Sequence, residues 1–208
     1  MRSRVSRTRS RRYFVLAEDP SDVQVLRELI RAREPEAVVR GSAAHAGGGY
    51  VRGALTRSVV ADRLRARVEV ALGDHDHVVV AVDADGPAAL ARSLAANLRR
   101  LLPDERVQIV VPVREIEAWF LGCPAGIARA FPSWKRYSSR ISPESVVNPK
   151  AELERLSPRP KGAYLPSTDA SRIARAIREE GCWRSARERS VCEALDRWMR
   201  FWDLPRVT

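Results

Sequence analysis

Short uninterrupted apolar runs alternate along the chain with longer segments whose apolar positions recur every three or four residues. The short runs read as strands buried on both faces, and the longer segments as amphipathic helices. The pattern predicts strands at 13–17, 36–40, 77–83 and 106–113, with a Gly-rich loop near 41–53. It predicts helices at 21–33, 54–72 and 87–101 and a helical turn through 115–121. Such alternation implies an α/β fold, a mainly parallel Rossmann-like sheet with helices on both faces. After residue 122, Pro and Ser become frequent and no strong strand follows. Helices at 149–156, 168–180 and 184–201 then form a helical C-terminal extension.

The clearest strand, Val78-Val79-Val80-Ala81-Val82, runs straight into Asp83-Ala84-Asp85-Gly86. In an open parallel sheet, the C-terminal strand ends open onto the ligand crevice. Carboxylates there offer hard oxygen ligands to a divalent cation. Asp85 equally suits a cap for the next helix, with Pro87 in its first turn. The first strand ends at Glu18, ahead of a helix for which Ser21 or Asp22 makes an N-cap. Capping explains part of that polarity, but a strand terminus does not require the carboxylate of Glu18. If the two strands are neighbours, Glu18, Asp83 and Asp85 converge, and a cation relieves their repulsion.

The segment Val110-Val111-Pro112-Val113-Arg114-Glu115-Ile116-Glu117 brings another strand to further acids. Glu117 falls at the crevice end, with Glu115 close enough to compete, and either suits the first turn of a helix. Trp119, Phe120 and Leu121 read as core. Lysine is rare: Lys135, Lys150 and Lys161 are the three among 37 Lys plus Arg. An ammonium at Lys150 can neutralise charge on a phosphate oxygen, although a surface lysine at a helix start is the plainer reading.

These segments together resemble the TOPRIM (topoisomerase–primase) domain, which has a Glu after its first strand and an Asp-x-Asp after a later one. Glu18 matches the first motif, and Asp83 with Asp85 the second. Glu-Asp stands here where many members have Glu-Gly. Asp22 matches a further acid of the OLD-type (overcoming lysogenization defect) nucleases. The stretch from Val110 to Leu121 is similar to the "PVR..EAWLL" signature of a small bacterial TOPRIM-like family related to them. Asn148-Pro149-Lys150 with Leu153 and Leu156 is similar to that family's next motif. The resemblance spans residues 13–156. It implies a metal-dependent nuclease cleaving phosphodiester bonds in DNA or RNA, serving bacterial defence with a separate ATPase subunit. It further implies that Glu18, Asp22, Asp83, Asp85 and Glu117 hold Mg2+ or Mn2+, with Glu18, Lys150 and Glu117 in catalysis. The alternative is a non-catalytic nucleic-acid-binding or partner-regulating subunit on the same scaffold.

Charge bears on the partner. The net +11 divides into +6 over residues 1–12, −2 over 13–122 and +7 over 123–208. An acidic centre between basic flanks suits a cation site beside a polyanion surface, with nucleic acid, DNA first, as the polyanion. Residues 1–12 read as a basic disordered tail, 13–122 as the TOPRIM-like core and 123–208 as a basic helical extension of the same domain. Arg172, Arg175 and Arg178 form one helical side, facing either phosphate or solvent. No apolar run approaches membrane-spanning length, and the basic start lacks the apolar stretch of a secretory signal. Cys123, Cys182 and Cys192 lack paired-ligand spacing and read as reduced thiols of a cytoplasmic protein. His75 and His77 read as a polar loop. No Walker motif follows Gly47-Gly48-Gly49, so any ATP hydrolysis belongs to another chain.

Overall fold

The computed structural model describes residues 9–43, 58–138, 141–158 and 164–182. Its elements in chain order are β1 (Arg12–Ala17), α1 (Pro20–Arg33), β2 (Val38–Ala43), α2 (Ser58–Asp74), β3 (His77–Ala81) and α3 (Ala88–Leu101). They continue with β4 (Val107–Val110), α4 (Glu117–Leu121), α5 (Pro124–Ala130), α6 (Pro149–Leu156) and α7 (Ser171–Glu180). The four strands form one sheet in the order β2-β1-β3-β4, and every pairing is parallel.

Strand alternation divides the apolar residues between two cores. Tyr13, Val15, Ala17, Val79, Ala81 and Val110 face a layer built from α1 and α4 to α7. Leu16, Val78, Val80 and Val107 face α2 and α3 on the other side. Continuous Val-rich runs are required because a parallel sheet is covered on both faces. Ile127, Leu153, Ile173 and Ile177 share one apolar cluster with Val15 and Leu26, so the described part of the extension is built onto the α1 side. No helix among the described residues is long and apolar enough to cross a membrane.

Several boundaries move for identifiable reasons. β2 runs to Ala43 because its partner β1 pairs Leu16 with Ser42 and Ala17 with Ala43. α1 starts at Pro20, not 21. Its N-cap is Asp19, whose side chain accepts from Ser21 N at 2.8 Å and Ser21 Oγ at 2.7 Å. Ser21 and Asp22 are therefore not the cap, and Asp22 is left for other work. β3 and β4 end before 83 and 113, yet Val82 N still donates to Val110 O and Ala84 N to Pro112 O. Pro112 has no N–H to return, so the regular ladder stops there. α7 is preceded by a wide turn, Pro166–Ala170, and ends at Gly181 in the left-handed conformation.

The basic segments also change. The 1–12 boundary falls too late: Arg12 belongs to β1, Arg11 pairs with Glu34 at 2.9 Å, and Arg9 lies 3.9 Å from Asp76. Residues 1–8 lie outside the described residues, as do Gly47 to Gly49 and the helix expected at 184–201. On the Arg172, Arg175 and Arg178 side, Arg172 and Arg175 are exposed and Arg178 is half-buried. Arg178 Nε is 3.2 Å and Arg175 Nε 3.9 Å from the buried Glu28 of α1, while Arg172 lies over the Phe131 ring. The apolar face Ile173, Ala174, Ala176 and Ile177 seats α7 on the core, and Arg178 makes the closest ion contact beside it.

Candidate functional site

The strand order reverses between β1 and β3: the chain moves outward to β2 and then returns to β1's other edge. At such a switch point the connections leave adjacent C-terminal strand ends in opposite directions and open a crevice. Glu18 leaves β1 at this place, and Asp83 and Asp85 follow β3. The expected neighbourhood of the two strands is therefore present.

Parity decides which acids meet. Val79 and Ala81 enter the α1 core, whereas Val82 and Ala84 enter the α2–α3 core. Asp83 thus falls on the α1 side, where Asp22 is the third residue of that helix. Glu117 opens α4 on the same side and is 1% exposed. Lys150, in the first turn of α6, reaches the group from outside, 3.1 Å from Glu115 Oε1 and 4.0 Å from Glu117 Oε1. Helix α6 is fixed at that point by Asn148, whose side chain accepts from Ala151 N at 2.9 Å.

The shared field shows in the titration of these groups. Burial, then the charges of Glu117 and Asp19, push the Asp22 carboxyl up to about 7. Burial, Asp22 and Glu117 hold Asp83 well above the usual carboxyl range. Burial also raises Glu117, against the pull of Lys150. Burial disfavours the Lys150 ammonium, but Glu117, Glu115 and Asp83 outweigh it and keep its pKa above the ordinary lysine value. Asp22, Asp83 and Glu117 come from three separate elements, and Lys150 is their counter-charge.

Asp85 and Glu18 contribute less to this field. Asp85 is exposed and adds the smallest of the leading contributions to Asp83. It does not cap α3, whose N-cap is Pro87 with no side-chain hydrogen bond. Its backbone has φ +50°, a left-handed conformation unusual for a residue other than glycine. Glu18 is half-buried and is not among the principal charges acting on Asp22, Asp83 or Glu117. Its position one residue past Ala17 gives it the parity of Leu16, which enters the α2–α3 core. Glu115 and Glu117 divide the role that position alone left open. Glu115 is the closer ion partner of Lys150, and Glu117 is the buried member of the cluster.

Tyr164 was not visible as a candidate in the sequence. Its hydroxyl donates to Glu117 Oε1 at 3.2 Å, and both side chains are buried. No local motif marks it, because the contact joins residues 47 positions apart. His75 and His77 lie at the other end of the sheet. His77 stacks on Tyr13, and His75 Nδ1 lies 2.9 Å from Ala71 O.

Chemically, the crevice offers hard oxygen donors in a field short of positive charge. Glu117 Oε2 is buried and accepts no hydrogen bond. Those features fit a divalent cation held by carboxylates. Among the described residues, no three His, Cys, Asp or Glu side chains stand close enough together to hold one ion. The fit is one of donor chemistry and field, not of a closed cage.

The fold and this crevice define a parallel α/β protein whose switch point carries electrostatically interacting carboxylates, Glu117 being the buried one. The chain belongs to the family described as Domain of unknown function (DUF4276), whose profile matches residues 17–201. That span contains Glu18, Asp22, Asp83, Asp85, Glu117 and Lys150. No curated protein and no solved structure matches the chain.

Proposed function

We propose that the protein is a Mg2+- or Mn2+-dependent nuclease of TOPRIM type that hydrolyses phosphodiester bonds in nucleic acid, DNA first. One observation carries this reading. Asp22, Asp83 and Glu117 share one field at the switch point, with raised carboxyl pKa values and Lys150 as their counter-charge. A cluster this costly to keep charged suits a site that receives a cation. The motif resemblance of Glu18, Asp83 and Asp85 to TOPRIM supports the same assignment.

In this reading Asp83, Asp22, Glu117 and Asp85 would supply carboxylate oxygens to the cation, and their side chains would have to draw together to do so. When bound, the cation supplies charge neutralisation at the phosphate and a more acidic water. By the TOPRIM resemblance, Glu18 would accept the proton of the attacking water. The Lys150 ammonium stabilises negative charge on the phosphate oxygens as the P–O bond breaks. Tyr164 orients Glu117 throughout by its hydrogen bond to Oε1. A separate ATPase subunit, a defence role and a cytoplasmic location belong to the proposal through the OLD-type resemblance and the thiol reading.

The Lys150 contacts to Glu115 and Glu117 favour one second reading, a self-neutralised scaffold that binds nucleic acid without cutting it. Purified wild-type protein and Asp83→Asn, incubated with DNA and RNA in Mn2+, Mg2+ or EDTA, separate the two. Cation-dependent cleavage by the wild type alone supports the nuclease. Binding without cleavage by either protein transfers the assignment to the scaffold.

A further inference from the structure

The residue assigned above to phosphate, Lys150, is already engaged by Glu115 and Glu117. Arg114 is placed differently. It lies on the stretch that continues β4 beside β3, and its carbonyl accepts from Asp85 N at 3.2 Å. That bond fixes its backbone at the lip of the crevice. The side chain is half-buried, and its Nε lies below the surface with no hydrogen-bond acceptor. Among the described residues, no carboxylate forms an ion pair with it. Arg106, near the start of the same strand, shows the contrast: its guanidinium is bound by Asp104 through Nε and a terminal nitrogen.

A buried guanidinium N–H without an acceptor is costly, and the cost is recovered when an oxyanion arrives. The planar fork of arginine matches two oxygens of one phosphate group. We propose that Arg114 binds a phosphodiester group of the nucleic-acid strand entering the crevice beside Asp85. The identity of the polyanion rests on the nuclease reading; the anion site itself rests on Arg114.

The test is an anisotropy titration of a labelled single-stranded DNA oligonucleotide in EDTA at several salt concentrations. It compares wild type with Arg114→Gln, Arg114→Lys and Arg106→Gln. Arg114→Gln is expected to bind roughly tenfold more weakly, with a salt slope lower by about one. Arg114→Lys keeps the charge without the fork and is expected to fall between, and it carries the test if Arg114→Gln does not fold. Arg106→Gln is expected to match the wild type. No binding by the wild type, or an unchanged affinity and slope in the Arg114 variants, overturns the proposal. Mn2+ affinity of Arg114→Gln is expected to equal that of the wild type. Its loss would assign Arg114 to the carboxylate cluster instead and also overturn the proposal. Failure of the nuclease reading appears separately: Arg114-dependent binding without cation-dependent cleavage leaves the anion site standing.

Discussion

Tyr164 donates its hydroxyl to Glu117 Oε1 across 3.2 Å, with the tyrosine 2% and the glutamate 1% exposed. Burial, and then the charge of Glu117, raise the phenol's pKa, so Tyr164 stays a donor over the whole working pH range. This bond ties the segment after residue 163 to the carboxylate cluster. Tyr164→Phe leaves a buried acceptor without its donor, which costs about 1–3 kcal/mol. Urea unfolding is expected to show a lower midpoint at unchanged slope. An unchanged midpoint would make the contact inconsequential.

The Asp22 carboxyl gives a pH dependence with a defined sign. Its folded pKa is about 7, against the ordinary 3.8. Between those values the folded protein retains a proton that the unfolded chain has released. The group's stabilising contribution is therefore complete below pH 4 and lost as pH rises through 7. Asp22→Asn removes that loss. Thermal melts in EDTA are expected to show the variant gaining on the wild type between pH 5 and pH 8. A constant difference across the range would contradict the raised pKa.

Helix α5 crosses α7 with a glycine at the contact. A Cβ on Gly126 would collide with Ile177 Cγ1 and lie 3.0 Å from Ile177 Cα. The nearer atom belongs to a fully buried side chain and the farther one to backbone, so neither yields easily. Gly126→Ala is expected to cost about 1–3 kcal/mol through overpacking, read as a lower melting temperature. A wild-type melting temperature would mean that the two helices separate freely.

Asp85 holds φ at +50°, where a Cβ is disfavoured and a short polar side chain is better tolerated than alanine. Asp85→Gly is expected to match or exceed the wild type in stability. Asp85→Ala is expected to fall below Asp85→Gly by about 1 kcal/mol. Equal melting temperatures for the two variants would show that no strain is held at the crevice.

The legible parts of the chain are those fixed by local pattern. The run into Asp83 gave β3 and the crevice position of its acids, because a doubly buried strand must be continuously apolar. Asn148-Pro149 marked the start of α6, and the helix occupies the expected 149–156. What pattern could not resolve was choice among adjacent polar residues. Asp19, Ser21 and Asp22 all suit a cap, and only the folded turn shows Asp19 in that place. Glu115 and Glu117 differ by two positions, and only the fold shows Glu117 to be the buried one. Tyr164 and the pairing of Glu28 with Arg178 join distant segments, so no window along the chain contains both partners.

The switch-point carboxylates are proposed to bind a divalent cation. The most direct measurement is calorimetric titration of Mn2+ into the metal-free protein at pH 6, in two buffers of different ionisation enthalpy. Because the Asp22 carboxyl titrates near 7, binding is predicted to release protons, so the apparent heat will differ between the buffers. Asp83→Asn is predicted to abolish the binding heat while keeping the wild-type circular dichroism spectrum. Equal Mn2+ affinity in wild type and Asp83→Asn, or no binding by either, would contradict the account.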